Sequence, residues 1–137
     1  MVYAILLYEE LVTEDEYNKR RDELFLSTPE DDDLLYLEWE TDIQKVIIYI
    51  RTRIDYNNLD LKRFGRILMS KLKAVYVKCS DIKHFAGHSH SLWESLPGNI
   101  QNIEPFWALN YADDPLSWGD EEQTRNIYEH MLNYYEN

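Results

Sequence analysis

The segment KVIIYIRTRI, residues 45 to 54, constrains the fold most, because a strand and a helix here lead to different architectures. As a helix, the region would place five apolar residues on one face: Ile43, Val46, Ile47, Ile50 and Ile54. However, β-branched side chains are dense in this segment, and their stiffness at χ1 favours strands over helices. We therefore predict a strand, paired in a hairpin with residues 34 to 40, LLYLEWE, whose side chains alternate between apolar and polar.

The first eighty residues predict a ferredoxin-like order of elements. The short apolar stretches VYAILLY, residues 2 to 8, and AVYVKC, residues 74 to 79, read as strands. Helices are predicted at residues 13 to 26, where Thr13 and Glu16 fit a capping box, and at residues 59 to 73, a basic amphipathic stretch. The resulting βαββαβ order is the split arrangement of ferredoxin-like domains.

The remaining residues predict an extension that covers the sheet. A broken helix near 81 to 96, a strand at 106 to 111 and a helix near 120 to 135 give a helix-strand-helix unit. The sheet face opposite the helices would present Tyr36, Tyr49 and Tyr76, which either lie under this extension or bind another chain. The expectation is one α+β domain over residues 1 to 137, a length that fits a single core.

The charge distribution restricts the class of partner. The net charge is −12, and the segments 1 to 42, 43 to 88 and 89 to 137 carry −11, +7 and −8. An acidic surface repels nucleic acid and anionic membranes and attracts basic proteins. The single cysteine, the absence of a signal peptide and the lack of an apolar stretch long enough for a membrane span predict a cytoplasmic protein.

The histidine-rich stretch KHFAGHSHSLW, residues 83 to 93, raises the possibility of a metal site. On a helix, His84 and His88 would lie one turn apart, and His90 or Cys79 could complete a zinc site in a metal-dependent enzyme. No metalloprotease, deaminase or phosphate-binding motif accompanies them, and Gly87 weakens the helix. The favoured interpretation is an irregular polar connection, with no metal, cofactor or catalytic residue and no enzymatic activity.

The stretch PFWALNYADDPLSWGDEE, residues 105 to 122, combines four large aromatic residues with five acids and no base. Aromatic residues anchor interfaces, and carboxylates steer a cationic partner toward them. Loop solvation and helix capping explain these acids better than a magnesium-dependent nuclease centre, which would need a basic groove. The predicted partner-binding residues are Asp113, Asp114, Trp118, Asp120, Glu121 and Glu122.

In these features, carried mainly by FWALNYADDPLSWGDEEQ, the chain resembles the small acidic immunity proteins with which bacteria neutralise nuclease toxins. The resemblance implies a stoichiometric inhibitor that binds the basic surface of a toxin. The basic segment 43 to 88 argues against simple mimicry of nucleic acid. Two alternatives stay open: a metal-dependent enzyme using His84, His88 and His90, and a structural or regulatory subunit. The oligomeric state is left open.

Overall fold

The chain is helical in the part that its computed structural model describes, residues 1–55 and 57–136. Those residues contain no strand, so the predicted α+β class, its ferredoxin-like βαββαβ core and its helix-strand-helix extension are wrong. The five segments predicted as strands lie in helices or turns. With no sheet in those residues, the expected tyrosine face, whether covered by the extension or open to another chain, does not exist either.

Two compact units make up the described structure. The N-terminal unit comprises Met1–Asp55, and the C-terminal unit comprises the described residues from 57 to 136. A compact unit is not evidence of independent folding, so the single domain over residues 1–137 stays a prediction. Each unit is described in turn.

The N-terminal unit contains four helices: α1 (Val2–Tyr8), α2 (Glu14–Ser27), α3 (Asp32–Trp39) and α4 (Ile43–Arg53). Helix α1 packs against α2 and α4, and α3 packs against α2. The core is formed by apolar residues of three of these helices and of the α1–α2 connection: Val2, Ala4, Ile5, Leu6, Leu11, Val12, Tyr17, Val46, Ile47 and Ile50.

Helix α4 shows why the strand prediction for residues 45–54 failed. Its buried residues Val46, Ile47 and Ile50 follow helical spacing, and Asp42 begins the helix by accepting the Gln44 N–H at 3.0 Å. Packing of one apolar face against α1 outweighs the weak intrinsic preference of β-branched residues for strands.

Helices α1 and α3 were also wrongly predicted as strands. A short apolar stretch such as residues 2–8 is compatible with a buried helix as well as a strand, and its deeply buried Val2, Ile5 and Leu6 follow helical spacing. In α3, the Asp31 carboxylate accepts the N–H groups of Asp33 and Leu34, which starts a helix where alternation had predicted a strand.

The C-terminal unit contains α5 (Leu61–Lys78), α6 (Ile82–Ser95), the short helices α7 (Gly98–Gln101) and α8 (Ala108–Tyr111), a 3₁₀ turn (Asp114–Trp118) and α9 (Glu121–Leu132). Helix α9 packs against α5, α8 and the 3₁₀ turn, and α6 packs against α8. The largest fully buried side chains of this unit come from nearly every element: Phe64, Leu68, Met69, Leu72, Phe85, Leu92, Ile100, Phe106, Leu109, Tyr128 and Met131.

Two predicted strands of this unit are also helical or turn. Residues 74–79 end helix α5, because Tyr76 lies one turn beyond the buried Leu72 and its ring packs edge-on against Phe85 with centroids 5.3 Å apart. In residues 106–111, Phe106 and Leu109 are buried three positions apart, a helical spacing that does not match strand alternation.

The predicted helices are confirmed with small changes of boundary. Helix α2 begins after Thr13, whose hydroxyl oxygen accepts the Glu16 N–H at 3.1 Å, as the capping box predicted. Helix α5 extends the prediction for 59–73, and α9 begins at Asp120, which caps it through the Gln123 N–H. Helix α6 runs unbroken through Gly87, so the interpretation of residues 83–93 as an irregular polar connection within a broken helix is wrong. No helix in the described residues has the length and apolar character needed to cross a membrane.

Ile48 gives a test that separates the helix from the strand. This residue lies on α4 and is 61% exposed. Ile48→Ala should raise the free energy of unfolding by roughly 0.3 kcal/mol, because alanine is the better helix former. In a strand the same change would lower it by up to about 1 kcal/mol.

The measurement is urea unfolding followed by far-UV circular dichroism. The buried neighbour Val46 serves as a control, since Val46→Ala should cost about 2 kcal/mol through lost burial. A destabilised Ile48→Ala variant would contradict the helical assignment of α4.

Candidate functional site

The connection between α8 and α9, together with the first two residues of α9, contains all six residues predicted to bind a partner; we call residues 113–122 the acidic turn. Pro115 is buried in the 3₁₀ turn, where its fixed φ suits the backbone. Gly119 ends this turn with φ of +80°, a left-handed conformation that glycine adopts without strain. Asp120 then begins α9, its backbone N–H donating to the Pro115 carbonyl at 2.9 Å. The path of the turn is thus fixed at both ends.

The acidic turn presents one large aromatic side chain and two uncommitted carboxylates. Trp118 is 63% exposed. Asp114 and Glu122 are exposed, and their carboxylates make no hydrogen bond or ion pair with any described residue. These three side chains are therefore available to a partner.

The other three predicted residues are engaged in contacts within the C-terminal unit. The Asp120 carboxylate caps α9, and Glu121 Oε1 accepts from Arg125 Nη2 at 2.7 Å. Asp113 is only about one-third exposed, and its Oδ1 lies 3.9 Å from Nδ1 of His90. That separation is too long for a hydrogen bond and fits an ion pair when the imidazole is protonated. The roles of Asp113, Asp120 and Glu121 in these contacts are structural.

The core of the C-terminal unit contains buried polar atoms without hydrogen-bond partners among the described residues. They include the hydroxyl groups of Ser89, Thr124 and Tyr128. Burial raises the pKa of Tyr128 well above its ordinary value, and the negative charge of Asp113 raises it further. Asp113 thus links the acidic turn electrostatically to the core of the C-terminal unit.

A shallow groove of about 250 Å³ runs beside the acidic turn, between α8 and α9. Its apolar lining comprises Ala108, Tyr111, Ile127, Met131 and Tyr134, and its polar lining comprises Glu104, Gln123, Asn126 and His130. We call it the α8–α9 groove. Because the acidic turn joins the two helices, it lies at one end of this groove. The volume falls below the usual range for small-molecule sites, about 300 to 1,000 Å³, and suits an inserted side chain better.

The sequence did not reveal this groove, because the apolar residues near the end of the chain were all interpreted as one core stripe: Ile127, Tyr128, Met131, Leu132 and Tyr135. In the structure Thr124, Tyr128 and Leu132 are buried, whereas Ile127 is only partly buried and lines the groove. Tyr134, which the predicted stripe did not include, lines the groove from beyond the end of α9.

The histidines come together only as a pair. His84 and His88 have their Nε2 atoms 3.3 Å apart on α6. His90 points elsewhere, with its Nε2 3.3 Å from Glu94 Oε1. Within the described ranges, no three histidine, cysteine, aspartate or glutamate side chains gather in a way that could hold a metal ion. A metal ion at this place would therefore have two imidazole ligands, His84 and His88, and no third protein ligand among the described residues.

Comparisons of the chain with protein-family models, with curated proteins and with solved structures give no match.

The raised pKa of Tyr128 predicts a loss of stability at alkaline pH. In the unfolded chain a tyrosine ionises near pH 10, whereas the buried Tyr128 keeps its proton to higher pH. A folded pKa above the unfolded one contributes stability below about pH 10 and loses it as the pH rises further. Tyr128→Phe should remove this loss, and at neutral pH it should be at least as stable as the wild type, since no hydrogen bond is lost.

Urea unfolding of the wild type and of Tyr128→Phe between about pH 8 and 11 measures the effect. The free energy of unfolding should fall less steeply in the variant. Parallel curves for the two proteins would show that Tyr128 ionises equally readily in the folded and unfolded states.

Proposed function

We propose that the protein is an acidic binding module whose acidic turn and α8–α9 groove receive a basic protein. The observation that carries the proposal is Trp118, which is 63% exposed on a turn of fixed path between two uncommitted carboxylates, Asp114 and Glu122. Folding gains little from a tryptophan in this position, whereas binding would gain from burying it.

Each part of the site has a distinct role in this proposal. Trp118 is the anchor, because tryptophan buries a large area and loses few rotamers on binding. Asp114 and Glu122 steer a cationic partner and contact its rim. Asp113, Asp120 and Glu121, also predicted from the sequence, keep the turn in its bound shape and add to its negative field.

The groove extends the contact along α9. Its apolar lining would take one apolar side chain of the partner, while Glu104 and the carboxylates of the turn accept neighbouring Lys or Arg groups. A basic protein with an apolar residue between cationic ones fits this arrangement.

A nuclease-type toxin is the basic partner that we propose, with the chain as its stoichiometric immunity protein in the bacterial cytoplasm. Support comes from the net charge of −12 and from the resemblance in composition to such inhibitors. A toxin surface that binds the phosphates of nucleic acid is cationic and would be attracted by the same carboxylates. On this proposal the chain is neither an enzyme nor a nucleic-acid-binding or membrane-binding protein. The lone Cys79 suits a reducing compartment.

The first test is capture of the partner by immobilised protein from a lysate of the source cells, followed by kinetics with the purified partner. Trp118→Ala should raise the Kd about 30-fold, equivalent to about 2 kcal/mol. The double variant Asp114→Lys/Glu122→Lys should lower the association rate at low salt and have less effect at high salt. The complex should also protect nucleic acid from the captured protein.

Two controls match these variants. Val77→Ala removes a comparably exposed apolar side chain, 73% exposed on α5, and should bind like the wild type. Glu14→Lys/Asp15→Lys makes the same change of net charge on α2 and tests whether charge alone matters. Unchanged binding by Trp118→Ala would exclude the acidic turn as the interface.

A further inference from the structure

Helix α3 exposes a second apolar surface, in the N-terminal unit. Trp39 is 81% exposed and Leu35 is 41% exposed. They lie four residues apart, and Asp32 precedes Leu35 by three, so all three side chains fall on one side of the helix. We call Asp32, Leu35 and Trp39 the α3 face. None of the eight residues of α3 is fully buried.

Contacts on its other sides hold α3 in position. The ring of Tyr36 stacks on that of Tyr49 with centroids 3.8 Å apart, and the Tyr49 hydroxyl donates to the Asp33 carboxylate at 2.6 Å. Toward α2, the Arg21 guanidinium lies 3.5 Å from the Glu38 carboxylate. Because these contacts fix the position of α3, the side chains of Trp39 and Leu35 are held in place before a partner binds.

The negative charge of the N-terminal unit indicates the kind of partner that the α3 face would bind. Residues 1–55 contain 15 acidic and 6 basic residues, a net charge of −9 out of the total of −12. Asp32 lies on the face itself, and its carboxylate has no hydrogen bond or ion pair with any residue that the structure describes. The N-terminal unit of a second copy and an anionic membrane would both be repelled, whereas a cationic partner would be attracted.

The shape of the α3 face narrows the class of cationic partner further. The apolar part of the face consists of two side chains, Leu35 and Trp39, about one turn apart on one helix. Such a pair packs well against the apolar stripe of another helix, which places flanking cationic groups beside the acids.

We propose that the α3 face binds a basic amphipathic helix of a partner protein. Trp39 and Leu35 pack against its apolar stripe, and its Lys or Arg side chains meet Asp32 and the neighbouring Asp31 carboxylate. This surface belongs to the N-terminal unit and uses no residue of the acidic turn, so it stands or falls separately from the function proposed above.

The probe is a fluorescent helical peptide of roughly 18 residues, about five turns, made of Leu at core spacing and Lys elsewhere. Its binding to the full chain is measured by fluorescence anisotropy at low salt. A second peptide of the same composition, with Leu distributed around the helix, has the same charge and no stripe. The wild type should bind the striped peptide at least tenfold more tightly.

Variants of the full chain locate the contact. Trp39→Ala should weaken binding of the striped peptide about 30-fold, the effect of removing an interface anchor. Leu26→Ala, a change of a 78% exposed side chain on α2, should leave it within about twofold. Both substitutions are at exposed positions, and circular dichroism verifies that the helices are retained.

Three results would overturn the proposal: no binding of the striped peptide, equal binding of both peptides, or unchanged binding by Trp39→Ala. Loss of binding in Trp118→Ala alone would move the site to the acidic turn and leave that proposal intact. A dimer in sedimentation equilibrium that Trp39→Ala dissociates would show that a second copy occupies the face.

Discussion

Side-chain caps at the starts of the helices determine most of the architecture. In the described part of the chain, six helices begin at a side chain that accepts a backbone N–H, and five of the six caps are aspartates: Thr13, Asp31, Asp42, Asp60, Asp81 and Asp120. Each such cap contributes about 1 kcal/mol and fixes where its helix starts. Several of these helices have only eight to twelve residues, a length that is marginal without a cap and a packed face.

The caps also explain which predictions from the sequence succeeded. Helices α2 and α9 were predicted correctly because Thr13 and Asp120 were recognised as capping residues. Asp31 was assigned to a solvated loop and Asp42 to the predicted hairpin, and the apolar stretches that follow them were then predicted as strands. In α4 the apolar residues fitted a helix and a strand equally, so only the polar residue before them could decide. The preference of β-branched residues for strands was overestimated relative to the packing of the apolar face of α4.

The site was predictable to the extent that it depends on one continuous segment. Residues 113–122 were identified because aromatic residues and acids are close in sequence there. Which of the six face solvent was not predictable, since the engagement of Asp113 with His90 and of Glu121 with Arg125 requires the fold. The α8–α9 groove and the α3 face were missed for a similar reason. Trp39 was placed in the core of a sheet, and its exposure follows only from the helix.

Acidic residues that make contacts within the fold contribute to its stability, whereas those that make none are available for recognition of a partner. An aspartate at a helix start satisfies a backbone N–H and supports folding, so its presence requires no partner. Asp32, Asp114 and Glu122 satisfy nothing within the described structure, and each adds repulsion to a chain that is already strongly negative. Each also lies near an exposed tryptophan in the same turn or helix, Trp39 or Trp118. Folding gains no burial from an exposed tryptophan, and it stabilises Asp32 and Glu122 only through the dipoles of the helices whose first turns they occupy. A cationic partner with an apolar contact surface would bury the tryptophan and pair the carboxylates together, which is the physical argument for interpreting these two surfaces as binding sites.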